Sequence, residues 1–142
     1  IPTDRRDTRK RMLFARFGIQ EFAQVRVRDL STGMKQKVSL VISLVQDPEI
    51  IIFDEPTNGL DILTAKVVTD FLLDLKEQGK TIIISTHIFS LVEKICDRVG
   101  IIINGRMAAC EDLRTLCGDK SLEDRFFEIY EAVNGEDENH DK

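Results

Sequence analysis

Three observations predict an α/β fold with a mainly parallel sheet flanked by helices. Residues 49–53 and 81–85 are short, almost continuously apolar runs of strand length, the pattern of strands buried on both faces. Between them Val68, Phe71, Leu72 and Leu75 recur at helical spacing. A third apolar run, residues 99–103, follows a second helical repeat built from Ile88, Leu91, Val92, Ile95 and Cys96. Strand–helix–strand–helix–strand is the order of parallel strands joined by crossover helices.

The remaining elements follow in order. Residues 4–17 read as a helix, with Met12, Leu13, Phe14 and Phe17 among its charges. Residues 34–46 carry Val38, Val41, Ile42 and Val45 at i, i+3, i+4 and i+7, one helix face. Ser31 is positioned to cap that helix. Asp47-Pro48 punctuates before the first strand, and Pro56-Thr57-Asn58-Gly59 turns the chain after it. The helix at 62–78 is expected to stop at Gly79. Asn104-Gly105 is a two-residue hairpin signal leading into residues 106–110. A short helix near 111–116 and a longer one over 122–133 close the chain, the latter opened by Ser121 with Asp124 three residues on. The acidic residues 134–142 are expected to fray.

The 142 residues amount to one ordinary domain, here a single unit with regions at 1–46, 47–110 and 111–142. A 42% hydrophobic share with 32% charged residues can bury a core and excludes a disordered or collagen-like chain. The apolar runs are far shorter than the roughly 20 residues a membrane-spanning helix needs. Ile1-Pro2-Thr3-Asp4-Arg5-Arg6 has no apolar segment of a secretory leader, and the lack of an initial Met leads one to expect an upstream sequence. Cys96, Cys110 and Cys117 form no metal or disulfide pattern and read as reduced packing residues of a cytoplasmic protein. The net charge of −5 is uneven: residues 1–37 hold ten Lys/Arg against four Asp/Glu. Such a basic segment could meet nucleic acid or anionic headgroups, but the apolar residues among its charges favour a solvated amphipathic helix.

In parallel sheets the chemistry collects at the carboxyl ends of the strands. After Phe53 come Asp54 and Glu55. A hard cation such as Mg2+ is commonly held by one or two carboxylates together with substrate phosphates, and a second carboxylate could orient or deprotonate water. A solvated Asp-Glu-Pro turn is the plain alternative. After Ser85 come Thr86 and His87, at the same sheet edge, where a turn histidine is the ordinary expectation. Ser31, Thr32 and Gly33 open a helix whose free N–H groups and dipole attract phosphate. An ordinary Ser-capped helix would account for Ser31 alone.

Order and spacing are more specific than any one of these signals. Leu30-Ser31-Thr32-Gly33-Met34, then Ile50-Ile51-Ile52-Phe53-Asp54-Glu55-Pro56, then Gly59-Leu60-Asp61, then Ile82-Ile83-Ile84-Ser85-Thr86-His87 together resemble the ATP-binding cassette (ABC) ATPases. The first stretch is similar to the family's signature motif, with Thr32 where Gly is usual and Met34 where Gln is commonest. The second is similar to Walker B, residues 58–61 to the D-loop, and His87 to the switch histidine. Residues 121–127 are similar to the tail of exporter-type subunits. The resemblance implies an ATPase subunit of a transporter, using ATP and Mg2+. It would sit on the inner, cytoplasmic face of a membrane against a permease subunit, with no nucleic acid expected. Two such domains would pair head-to-tail. Ser31, Thr32 and Gly33 would then meet the γ-phosphate held by the partner domain. Asp54 would position Mg2+, Glu55 would activate water, Asp61 would couple the two sites, and His87 would hold the γ-phosphate.

A phosphate loop of the form GxxxxGK[ST] is part of such a site. Gly79-Lys80-Thr81 has the right ending, yet position 74 is Asp and the stretch lies between a helix and a strand, the reverse of the required order. Gly100 and Gly105 have the right spacing but enclose a strand and precede Arg106-Met107. The chain therefore reads as the carboxyl-terminal half of an ABC ATPase domain, a partial P-loop NTPase lacking the phosphate-loop strand and inactive alone. A soluble ABC-type protein acting on ribosomes or nucleic acid, and a non-catalytic interaction module, are the alternative readings.

Overall fold

The computed structural model describes the backbone of residues 3–140 and the side chains of residues 5–135. The expectations about Ile1-Pro2 and about Asp141-Lys142 lie outside the described residues. The chain forms two compact units, Ile1–His87 and Ile88–Lys142.

In the first unit, helix α1 (Thr3–Phe17) leads through short 3-10 turns to α2 (Thr32–Leu44), strand β1 (Ile50–Asp54), helix α3 (Ile62–Glu77) and strand β2 (Thr81–Ser85). β1 and β2 are parallel, with Ile52 opposite Ile83 and Asp54 opposite Ser85. Helix α3 is the crossover, and it packs against β2. Its buried stripe is Val68, Phe71, Leu72 and Leu75, as its spacing predicts, with Thr64 and Thr69 added. Gly79, at φ 80°, ends it with a left-handed residue that only glycine adopts without cost. Helix α1 contributes Leu13 and Phe17, both buried, and Phe17 meets Phe71 edge-on at 5.3 Å between ring centroids.

Two expectations about this unit need correction. The face of α2 is Leu40, Val41 and Leu44, while Ile42 is 66% exposed. The buried stripe lies about one position away from the face the valines define: Leu40 and Leu44 are buried beside Val41, whereas Val38 and Val45 are only partly buried. The strands are not buried on both sides. Ile51 and Phe53 face the core, but Ile50, Ile52 and Ile83 are more than half exposed. Among the described residues of this unit, no further layer covers the outer isoleucine face.

In the second unit, α4 (Phe89–Ile95), β3 (Arg98–Ile103), β4 (Arg106–Asp112), α5 (Leu113–Cys117) and α6 (Leu122–His140) surround a cluster of Ile101, Ile103, Leu116 and Leu122. The parallel pattern stops at β2: β3 pairs antiparallel with β4. The Asn104-Gly105 turn joins them as its sequence predicts, both residues having positive φ. The register shifts between Ile101 and Ile102, where Ala108 is the extra residue of a bulge. Ser121 caps α6, its Oγ accepting from the Asp124 N–H at 3.0 Å. The helix runs to His140, past the expected end at Val133. The packing reading of the cysteines holds for Cys117, which lies against this cluster, and fails for Cys110, which is exposed.

Candidate functional site

Parallel pairing with Asp54 opposite Ser85 makes both strands end at one level. The residues that follow each end therefore meet. Ser85 Oγ donates to Asp54 Oδ1 at 2.8 Å. Glu55 extends the ladder by one bond, its N–H donating to the Ser85 carbonyl at 2.8 Å. Its φ is +46°, a left-handed conformation that costs a non-glycine residue roughly 1–2 kcal/mol. Strain of this kind persists where surrounding contacts over-determine it. Here the side chain is fixed at three points: Thr86 Oγ1 donates to Oε2 at 3.1 Å, the His87 N–H donates to Oε1 at 3.2 Å, and His87 Nδ1 lies 2.7 Å from Oε1. These donors hold the Glu55 carboxyl below its ordinary value, the His87 ring bond contributing most and partial burial opposing it.

Asp54, Glu55 and His87 are thus brought together, as the sequence predicts. Ser85 and Thr86 are the donors that residue-type reasoning passed over as strand and turn. Their signal was the register itself, since two apolar runs ending in Phe-Asp-Glu and Ile-Ser-Thr-His align carboxylates with hydroxyls.

The second group surrounds the start of α2. Ser31 Oγ accepts from the Met34 N–H at 3.2 Å, the capping bond its position predicts. That bond leaves the Ser31 hydroxyl proton available to a ligand. The first-turn N–H groups, those of Thr32 and Gly33 included, have no intrahelical acceptor. This end of α2 lies against the turn after β1. A Cβ built on Gly59, at φ +71°, would sit 3.5 Å from Thr32 Cγ2, and one on Gly33 would sit 3.7 Å from the Gly59 carbonyl oxygen. Gln36 Nε2 donates to the Pro56 carbonyl at 3.5 Å.

Asp61 has a local structural task as the N-cap of α3. Its carboxylate accepts from the Thr64 N–H at 3.0 Å and the Thr64 hydroxyl at 2.7 Å, and the hydroxyl bond does most to lower its pKa. Just beyond it, Ile62 and Leu63 are 88% and 77% exposed.

The phosphate-loop decoys resolve as local structure. Lys80 Nζ is held by Glu49 at 2.8 Å and Asp47 at 3.2 Å, two carboxylates that leave it no phosphate to serve. Gly100 lies within β3, and Gly105 in the hairpin turn.

Among the described residues no group of three or more His, Cys, Asp or Glu could cage a metal. The donor set fits a cation shared with phosphates instead. Asp54 offers a carboxylate beside the Ser85 hydroxyl, and Mg2+ favours one or two protein oxygens completed by substrate phosphate and water. No described helix is long and apolar enough to cross a membrane.

The sequence profile of the ABC transporter family matches residues 4–58. The ABC transporter ATP-binding protein NatA of Bacillus subtilis is 40% identical over 112 residues, covering 79% of this chain and 46% of its own length. A fluoroquinolones export ATP-binding protein of Mycobacterium tuberculosis is 37% identical over 99 residues, covering 70% of this chain and 33% of its own. Among solved structures, an ATP-binding subunit of an ABC transporter superposes with a TM-score of 0.84 at 29% identity, over 91% of this chain and 56% of that one. The ATP-binding cassette MJ0796, solved as a dimer with ADP and Pi, gives 0.69 at 26% identity, over 80% and 50%. The chain spans less than half the length of the curated relatives it matches. It belongs to the ABC transporter ATP-binding family and corresponds to part of that family's domain.

Proposed function

We propose that this part of an ABC transporter ATP-binding domain supplies the water-activating side of one ATP site and the signature side of another. The observation that carries the reading is the Glu55 carboxylate, fixed by Thr86 and His87 and one residue from Asp54. Glu55 accepts a proton from water as the water oxygen bonds to the γ-phosphorus. The bond from that phosphorus to the β–γ bridging oxygen breaks, and its electron pair leaves with ADP. Asp54, beside the Ser85 hydroxyl, would hold Mg2+, which would neutralise phosphate charge. His87 has Nδ1 on Glu55, which turns Nε2 of the ring outward to the γ-phosphate.

Ser31, Thr32 and Gly33 serve the site of a second copy, where the α2 N-terminus and the free Ser31 hydroxyl proton meet a γ-phosphate. Their packing on Gly59 and Leu60 ties them to Asp61, which links the two sites. Exposed Ile62 and Leu63 fit a surface that a second domain covers. The division into a signature region at 1–46, a core at 47–110 and a tail at 111–142 follows this assignment. The partners are a transmembrane permease and a second ATPase domain, at the cytoplasmic face of the membrane.

The test uses a completed ATPase, in which the chain is joined to a phosphate-loop half. That half comes from its own reading frame or, if none is encoded there, from the B. subtilis NatA relative. With Glu55→Gln and Mg-ATP, sedimentation should show a dimer that Gly33→Asp abolishes. A Glu55→Gln protein that stays monomeric at saturating ATP contradicts the head-to-tail assignment.

A further inference from the structure

The two oxygens of the Glu55 carboxylate are not equivalent. An ionised carboxylate has about four acceptor positions, two on each oxygen. Oε1 meets two donors of one residue, the His87 N–H at 3.2 Å and Nδ1 at 2.7 Å. Among the described residues, Oε2 accepts the Thr86 hydroxyl alone, at 3.1 Å. The Glu55 side chain is 27% exposed, so it is not sealed from solvent.

We propose that Oε2 is the oxygen that takes the proton from water, and that Thr86 is the positioning residue that aims it. This rests on the general-base reading of Glu55. His87 saturates Oε1, so a water approaching there would have to displace one of its two donors. At Oε2 one lone pair is taken by Thr86 and one remains. The Thr86 hydroxyl fixes rotation about the final torsion of Glu55, a broad and weakly restrained one on its own. The remaining lone pair is then held in a single direction. During the step, a water O–H bond breaks and an Oε2–H bond forms while the water oxygen bonds to the γ-phosphorus. Thr86 keeps its own proton throughout.

The arrangement comes from the strand. Ser85 and Thr86 are consecutive, so their side chains leave opposite faces of an extended chain. One hydroxyl reaches Asp54 and the next reaches Glu55.

Thr86→Val in the completed ATPase removes the hydroxyl and keeps the branched shape. It should lower kcat about 10–100-fold, the effect of losing one hydrogen bond to a charged group, with KM for ATP unchanged. Thr86→Ser should restore the rate. In a Glu55→Gln background Thr86→Val should add no further loss. If Glu55→Gln turns over like the wild type, the general-base reading itself fails. If Glu55→Gln is inactive but Thr86→Val keeps the wild-type kcat, that reading stands and the role of Thr86 is overturned. A Thr86→Ser enzyme as slow as Thr86→Val also overturns it.

Discussion

His87 Nδ1 and Glu55 Oε1 lie 2.7 Å apart, the shortest of the contacts that fix the Glu55 carboxylate. A carboxylate only accepts, so Nδ1 carries the proton in this pair. Two groups 32 positions apart in sequence are joined because parallel pairing ends β1 and β2 at one level.

The first prediction concerns pH. His87 is the largest cause of the lowered Glu55 pKa. A depressed carboxyl pKa stabilises the fold above the unfolded value, and that contribution is lost as pH falls through the folded value. His87→Ala should return Glu55 toward its ordinary 4.5. The acid limb of kcat/KM of the completed ATPase, normalised to its maximum, should then move upward in pH. An unmoved limb would show that the Glu55–His87 bond does not set the ionisation of the base.

The second prediction concerns the core. Leu72 is 1% exposed on α3, whereas Ile42 is 66% exposed on α2. Leu72→Ala should cost about 2–5 kcal/mol through lost burial and a residual cavity. Ile42→Ala should be within about 0.5 kcal/mol of neutral. Urea unfolding followed by circular dichroism separates the two, and equal losses would contradict the assigned α2 face.

The contrast between these helices shows what was legible in the sequence. The α3 stripe could be read directly, because its apolar residues stand among charged ones and only one face is available. In α2 the residues Val38, Leu40, Val41, Ile42, Leu44 and Val45 offer two overlapping faces, and spacing alone could not choose between them. The strands were legible as strands, but continuous apolar sequence encodes burial on both sides. Ile50, Ile52 and Ile83 are exposed because that coding is satisfied only when another layer covers them. At the site, residue types announced Asp54, Glu55 and His87. Ser85 and Thr86 became donors only through the pairing register, which is tertiary information.

The third prediction concerns self-association. Among the described residues β2 pairs with β1 on one side, and no strand pairs with its other edge. Ile82, Ile83 and Ile84 bring no charge or proline to that edge, which makes it a template for another chain. The isolated 142-residue chain should sediment as a self-associated species, and Ile83→Lys should shift it toward monomer. A monomeric chain with fast amide exchange over residues 81–85 would contradict this.

The fourth concerns activity of the chain alone. Its sequence contains no GxxxxGK[ST] to cradle a β-phosphate in backbone amides and lysine. Phosphate release from ATP should stay at the buffer rate, and titration calorimetry should show no micromolar Mg-ATP site. A micromolar site would mean that residues on this chain grip the nucleotide by themselves.

Phosphate release by the completed ATPase carrying Glu55→Gln tests the central claim most directly. The substitution keeps the size and most of the hydrogen bonding of the side chain and removes only its capacity to take a proton. Turnover should fall about 10²–10⁴-fold, with Mg-ATP affinity unchanged. Turnover near the wild-type rate, at the same ATP affinity, would contradict the assignment of Glu55 as the group that activates water.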